Sequence, residues 1–359
     1  MSNSQYQVYL LHAMNLAETY RGFCAPNPCV GALIVDKAGS ILAEGVHRGV
    51  GLPHAEVDAL EKLPEGTSKG AVMYVTLEPC SHYGRTPPCS DAIIRSGIKN
   101  VVYAYRDPNP LVCGKGVAQL HAAGIKCEYF PLKEIDCFYE SYCYWRETKK
   151  PLVTAKIAMT LDGKTAGKDG LPIRITGDEI NTVTHQQRKK HDAILTTVKT
   201  ILIDDPRLDA RYNGLSSPKP LYVLDQRLEF PLHAKVFSTA KSITVFYAGK
   251  IKKSSYASLI ALGVRCIQVD KNNDDLNLEQ IIRFIGQDGM HTLWVETGGK
   301  CFSAFVKNSL LKRAFIYLAP RWLGEEGLSA FPVGFGPDLS FKKIHWEQIG
   351  QDVCCELYF

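Results

Sequence analysis

The stretch VMYVTLEPCSHYGRTPPCSDAIIRS, residues 72–96, decides how this chain is read. Val72 to Leu77 is an apolar, β-rich run that predicts a strand, and Ser90 to Ser96 has helical spacing. Between them Cys80 and Cys89 each follow a proline, with eight residues separating the two thiols. Both sit beside an expected helix start, where the N-terminal dipole favours the thiolate form. Upstream, His54-Ala55-Glu56 adds an imidazole and a carboxylate. One nitrogen and two thiolates make the ligand set of a hydrolytic zinc site. Three protein ligands leave a fourth tetrahedral position for water, whose pKa falls to roughly 7. Glu56, not itself a ligand, is placed to take that water's proton and pass it to a departing nitrogen.

Twelve cysteines in one chain will produce some chance His/Cys spacings, and buried thiols often serve only as small apolar residues. A structural zinc with His82 as fourth ligand is the other metal reading. Against it, Ser81 to Pro87 reads as a substrate loop, rich in donors and stiffened by proline.

Outward from this segment the first half alternates. A helix is expected around Val8 to Ala17, and strands Cys29 to Val35 and Ile41 to Val46 form a hairpin. Helix His54–Leu63, strand Val72–Leu77, helix Ser90–Ser96, strand Asn100–Tyr105, helix Gly116–Ala123, strand Ile125–Phe130 and helix Leu132–Glu147 follow. Such a pattern implies an α/β domain with a largely parallel sheet covered on both faces. Thr148-Lys149-Lys150-Pro151 is a proline-stopped connector, and a second α/β domain opens at Leu152. Its expected strands are Ala193–Thr196, Leu221–Leu224, Ser242–Tyr247, Arg265–Val269, Leu293–Glu296 and Ala314–Leu318, with helices at Glu179–Arg188 and Leu278–Ile285.

Deaminases of free bases, nucleosides or polynucleotides commonly carry a compact Pro-Cys-x-x-Cys, unlike the spacing here. Val75 to Cys89 closely resembles instead the signature of the bifunctional riboflavin-biosynthesis deaminase/reductase family. So do Pro26-Asn27-Pro28-Cys29-Val30-Gly31, Gly51-Leu52-Pro53-His54-Ala55-Glu56, and Asp107-Pro108-Asn109-Pro110 with Gly114-Lys115-Gly116. The resemblance implies a three-layer α/β/α cytidine-deaminase-like domain over residues 1–147. It also implies that Asn27, His47, His82, Arg85, Asp107 and Asn109 line a pocket for a phosphorylated pyrimidine. His47 reads as well as a structural histidine at a strand end.

The second half has no Gly-x-Gly-x-x-Gly. Val295-Glu296-Thr297-Gly298-Gly299-Lys300 places paired glycines between a strand and a helix, which suits either a phosphate cradle or an ordinary tight turn. Together with Ala155 to Lys164, Thr200 to Arg211 and Tyr317 to Pro320, it resembles the family's dihydrofolate-reductase-like domain, expected over residues 151–359. The resemblance puts Ala158, Thr200, Asp204, Gly298 and Gly299 at NADPH, with Arg188, Leu208 and Arg211 near the phosphorylated substrate. Glu296 falls between cofactor and substrate. Asp162 and Lys164 read equally as site residues or turn residues.

Two departures stand out. Pro172-Ile173-Arg174 replaces the family's usual serine and tryptophan ahead of Ile175-Thr176, and Lys312-Arg313 replaces an acidic pair. Arg174 turns a stacking surface into a cation that suits the NADPH 2′-phosphate.

A net charge of +5 with scattered basic residues fits phosphorylated small molecules better than a nucleic-acid backbone. The first residues lack a signal-peptide pattern and no stretch is apolar for about 18 residues, so a cytoplasmic protein with no membrane partner is expected. The resemblance suggests a homodimer or larger homo-oligomer, with Zn²⁺ and NADPH as cofactors. It implies removal of the 2-amino group from the diaminohydroxyphosphoribosylaminopyrimidine, followed by reduction of the ribosyl group to ribityl. The competing readings are a deaminase with a degenerate reductase-like domain and a tRNA- or nucleotide-acting deaminase.

Overall fold

The structure is a computed structural model that describes residues 3–83, 87–110, 113–212, 214–332, 336 and 339–359. The chain divides into two units, 1–149 and 150–359. Among the described residues no helix is long and apolar enough to cross a membrane.

The first unit contains α1 (Asn3–Glu18), β1 (Gly31–Val35), β2 (Ile41–Val46), α2 (Ala55–Leu60), β3 (Val72–Leu77), α3 (Cys89–Ser96), β4 (Asn100–Tyr105), α4 (Lys115–Ala122), β5 (Lys126–Tyr129) and α5 (Lys133–Thr148). The sheet order is β2-β1-β3-β4-β5. Strand side chains alternate between faces. Leu33 and Val35 pack with Leu10 and Ala13 of α1 and with Ile135 and Tyr139 of α5, while Ala32 and Ile34 pack with Ala55 and Ala59 of α2, Ile93 of α3 and Leu120 of α4. Three layers result. The sheet is less parallel than the sequence suggests: β1 runs antiparallel to both β2 and β3, and only β3-β4-β5 is parallel. The connection from β2 back to β3 passes through α2 and leaves β3 opposed to β1, an orientation that element alternation does not specify.

The second unit is built on a nine-stranded sheet. Its strands are β6 (Leu152–Thr160), β7 (Ala193–Thr197), β8 (Pro220–Leu224), β9 (Ser242–Tyr247), β10 (Arg265–Gln268), β11 (Thr292–Glu296), β12 (Arg313–Ala319), β13 (Lys343–Ile349) and β14 (Asp352–Tyr358). In space they run β10-β9-β8-β7-β11-β6-β12-β14-β13. The first seven are mutually parallel, and the last two add an antiparallel hairpin. Helices α6 (Asp178–Lys190), α7 (Val198–Asp204) and α8 (Lys253–Ala261) cover one face through Ile180, Ile201 and Leu259. Helices α9 (Leu278–Gln287) and α10 (Gly299–Lys307) cover the other through Ile281, Ile285, Phe302 and Phe305. The carboxyl ends of the parallel strands therefore share one edge, the usual place for ligands in an open α/β sheet.

Candidate metal centre and reductase site

In the first unit, β3 runs into Pro79-Cys80, α3 starts at Cys89, and α2 starts just after His54. These three chain ends bring their donors together. His54 Nδ1 lies 3.2 Å from Cys89 Sγ and 3.6 Å from Cys80 Sγ, and all three donor atoms fall within 4.8 Å of one another. Bonds of roughly 2.0 Å to nitrogen and 2.3 Å to sulfur in a tetrahedron separate those donors by about 3.5 Å, so the set fits Zn²⁺. The Cys89 backbone N–H donates to Cys80 Sγ at 3.4 Å. A hydrogen bond from the Cys89 thiol, opposed by burial and reinforced by His54, pulls Cys80 down to about 4, while the same bond and burial push Cys89 up. The two thiols thus divide one proton unequally, Cys89 holding it. A bound divalent cation would displace it.

Glu56, in the first turn of α2, is buried beside the donors. Burial first, and the Cys80 thiolate second, raise its carboxyl to about 7. It lies beside the donors but outside the converging set.

Around this centre Asn27 Nδ2 lies 3.2 Å from His47 Nε2, and His47 Nδ1 lies 3.0 Å from the Pro53 carbonyl. The carbonyl can only accept, so Nδ1 carries the proton and Nε2 accepts from Asn27. Burial lowers the His47 pKa, keeping the ring neutral. Its ring meets that of His54 edge-on at 5.1 Å, so His47 packs against one of the converging donors. Asp107 Oδ1 accepts from the Asn109 backbone at 2.8 Å and from Tyr142 OH at 3.3 Å, and Asn109 Oδ1 accepts from Arg146 at 2.7 Å. Arg146, which the sequence did not single out, is thereby a cation beside the loop. His82 is exposed. Arg85 lies outside the described residues.

In the second unit the predicted residues gather at the carboxyl edge of the sheet. Arg188 and Glu296 form a buried two-pronged pair at 2.5 and 2.9 Å, and Trp294 Nε1 donates to the same carboxylate at 2.7 Å. Burial alone would raise Glu296; Arg188 overrides it and holds the carboxyl at about 2. Thr196 Oγ1 donates to the Glu296 carbonyl at 2.7 Å, tying the end of β7 to the end of β11. Thr200 sits in the first turn of α7, its N–H donating to Thr197 Oγ1 at 3.3 Å. Arg211 is half-exposed, 3.3 Å from Asp209, with its N–H donating to His185 Nδ1 at 3.0 Å.

Lys156 is the residue that strand patterning conceals. It sits in β6 opposite Glu296, its Nζ 5.2 Å from the Tyr317 ring. Burial lowers its pKa, while Glu296 and Asp204 pull it back up. Burial likewise raises Asp204, against the pull of Lys156. A lysine inside the apolar run Leu152–Thr160 is the one signal the sequence offered.

Gly298 and Gly299 open α10 and differ sharply. A Cβ on Gly299 would fall 1.5 Å from the Ala330 carbonyl oxygen, whereas one on Gly298 meets nothing within 4 Å. Gly299 packs the helix; Gly298 leaves room for a ligand at its N-terminus, a fit for a dinucleotide's phosphates. Ala158 lies on β6, partly buried.

Leu208 has its side chain buried in the core at a left-handed φ of 49°, which leaves its backbone for any ligand contact. Asp162 accepts from the Leu323 and Gly324 amides at 3.1 and 2.8 Å and from Thr160, so it acts as a turn clamp. Lys164 starts a short ribbon with Leu328–Ser329. Arg174 is exposed and paired with Asp178. Arg313 begins β12, 3.3 Å from Glu356 and over the Tyr358 ring, at the end of the strand away from the site. Nothing in the structure explains Pro172.

Two family models match the chain: the cytidine and deoxycytidylate deaminase zinc-binding region over residues 3–105 and the RibD C-terminal domain over residues 151–355. The riboflavin biosynthesis protein RibD of Aquifex aeolicus is 38% identical over 360 residues, covering 96% of each chain. That of Escherichia coli K12 is 33% identical, covering 98% of this chain and 99% of its own. Among solved structures, Acinetobacter baumannii RibD superposes with a TM-score of 0.88 at 32% identity over 99% of both chains. A deaminase/reductase from Thermotoga maritima does so at 0.81 and 30%, again over 99% of both. The chain belongs to the RibD family of bifunctional riboflavin-biosynthesis enzymes, a zinc-dependent deaminase and an NADPH-dependent reductase in one polypeptide.

Proposed function

We propose that residues 1–147 carry the deamination and residues 151–359 the reduction, with roles as follows. The first substrate is the diaminohydroxyphosphoribosylaminopyrimidine in the name of the Thermotoga maritima relative. His54, Cys80 and Cys89 hold zinc. The metal, when bound, supplies Lewis acidity that brings a water's pKa toward neutrality. Glu56 takes that proton and delivers it to the departing amino group, which leaves as ammonia. Neutral His47, with both ring nitrogens engaged, holds Asn27 in place for the pyrimidine; His82 and Arg85 meet the phosphoribosyl end. Asp107 and Asn109 shape the opposite wall.

In the second unit Arg211 meets the substrate phosphate, with Leu208 contributing backbone, while Arg188, committed to Glu296 and the Asp209 carbonyl, borders the substrate. NADPH, when bound, supplies the hydride. Gly298 admits its phosphates at the start of α10, which Gly299 seats against Ala330, and Ala158, Thr200 and Asp204 border its nicotinamide half. Lys156 and Glu296 stand where the sugar opens, one a half-buried cation and the other a carboxylate fixed by Arg188. Arg174 joins the cofactor only if it leaves Asp178.

Further parts of the reading are a homodimer or larger homo-oligomer and a cytoplasmic setting. Twelve free cysteines suit a reducing compartment.

The observation that carries the proposal is the convergence of His54, Cys80 and Cys89 around a buried, non-ligating Glu56. Purified protein incubated with the diaminopyrimidine should release ammonia without NADPH, and oxidise NADPH only after that release. Ammonia without any NADPH oxidation would leave a deaminase carrying an inert second unit.

A further inference from the structure

Helix α5 carries polar tips that the chemistry at the metal does not use. Tyr139, Tyr142 and Arg146 stand three and then four residues apart, so they share one face of the helix. Each reaches a different point of the pocket-lining motifs. Tyr139 OH donates to the Cys29 carbonyl at 2.9 Å, two residues after Asn27, and takes a 2.7 Å bond from Thr76 Oγ1. One turn on, Tyr142 OH donates to Asp107 Oδ1 at 3.3 Å, and a further turn on Arg146 donates to Asn109 Oδ1 at 2.7 Å.

The backbone of the Asp107–Asn109 wall is held by other means. Glu78, buried just past the end of β3, accepts from the Gly114 amide at 2.7 Å, and Asp107 Oδ1 accepts from the Asn109 amide at 2.8 Å. What α5 adds is therefore the orientation of side chains. Arginine only donates, so Arg146 captures the oxygen end of the Asn109 amide and turns its N–H donors the other way. Both bonds to the Asp107 carboxylate fall on Oδ1, and among the described residues none falls on Oδ2. Burial raises the Asp107 carboxyl, while the Asn109 amide, the Tyr142 hydroxyl and the charge of Arg146 favour its ionised, accepting form. The wall thus offers a ligand one oriented donor and one oriented acceptor.

We propose that Tyr142 and Arg146 are positioning residues of the deaminase, setting its affinity for the phosphoribosylated pyrimidine through Asp107 and Asn109. The inference rests on reading Asp107 and Asn109 as a wall of that pocket. Groups already held in their bound orientation lose less rotamer freedom when the substrate arrives, so binding tightens without any new contact. Neither residue belongs to the converging donor set, so zinc and the proton transfer at Glu56 are left alone. The effect therefore falls on KM and spares kcat.

The test is steady-state deamination by the zinc-loaded, full-length chain, followed by ammonia release, with zinc content measured on each sample. Arg146→Met should raise KM for the diaminopyrimidine about tenfold, while kcat stays within about twofold and zinc stays at the wild-type level. Arg146→Lys, which keeps a charged donor, should recover most of that loss. Tyr142→Phe removes one oxygen and should raise KM about threefold. Asn109→Ala should match Arg146→Met, and combining the two should add less than about twofold, because both remove the same contact. Effects that multiply, a wild-type KM in Arg146→Met or Asn109→Ala, or a loss of zinc or of kcat at unchanged KM overturns the assignment and leaves the deaminase reading intact. Wild-type protein that holds zinc and releases no ammonia overturns that reading and this assignment with it.

Discussion

Glu56 is a buried carboxylate and Glu296 a largely covered one, yet their surroundings hold them in opposite states. Glu56 has burial and a thiolate against it and sits at about 7; Glu296 has Arg188 and sits at about 2. The first is poised to exchange a proton, the second to stay charged. Cys80 belongs with Glu56. Cys80→Ser should lose zinc and melt at a lower temperature, because ligand binding and folding are coupled; full zinc occupancy in that variant would remove Cys80 from the ligand set. A separate acid sensitivity resides in His191, which burial against Trp294 lowers from 6.5 to about 4. Between those two values the unfolded chain binds a proton that the native ring refuses, so stability falls as pH drops through that window, by up to about 3 kcal/mol. Glu296 works lower. Its depressed pKa contributes stability present above about 4.5 and lost as pH falls toward about 2. Urea unfolding of the His191→Gln variant at pH 7 and pH 5 should show a smaller pH effect than wild type, and an equal effect would contradict the buried-neutral assignment.

At the scale of elements, the paired glycines of α10 separate packing from ligand space. Gly299→Ala puts a methyl into the Ala330 carbonyl and should cost about 2 kcal/mol in stability. Gly298→Val places its side chain where nothing stands, at a φ of −69° that valine adopts freely. It should melt like wild type but bind NADPH at least about tenfold more weakly, as read by calorimetric titration; unchanged affinity would move the dinucleotide elsewhere. Elements with strong periodicity were legible in the sequence. Val72–Leu77, Asn100–Tyr105 and Ser242–Tyr247 are strands over those same residues. The outer strand of the closing hairpin, β13, was not, because Lys343 to Gln348 is exposed throughout and carries no alternation of burial for a pattern to report. Lys156 escaped for the opposite reason. It lies in a strand whose apolar neighbours all announce a core, and its chemistry comes from Glu296, 140 positions later in the chain. The metal donors, by contrast, were legible because Pro-Cys at a strand end and His before a helix are local features.

For the whole molecule, each unit carries its own core and its own candidate site, described entirely by residues of that unit. Chelation should therefore stop ammonia release while NADPH binding continues. Loss of both on metal removal would show that the second unit depends on the first. The account's central claim is that three residues hold the metal and a fourth moves the proton. Glu56→Gln tests it most directly, by zinc content and ammonia release on the same purified sample. The account predicts wild-type zinc occupancy with deamination reduced by about 10²-fold or more. Turnover at the wild-type rate, or loss of the zinc, would contradict it.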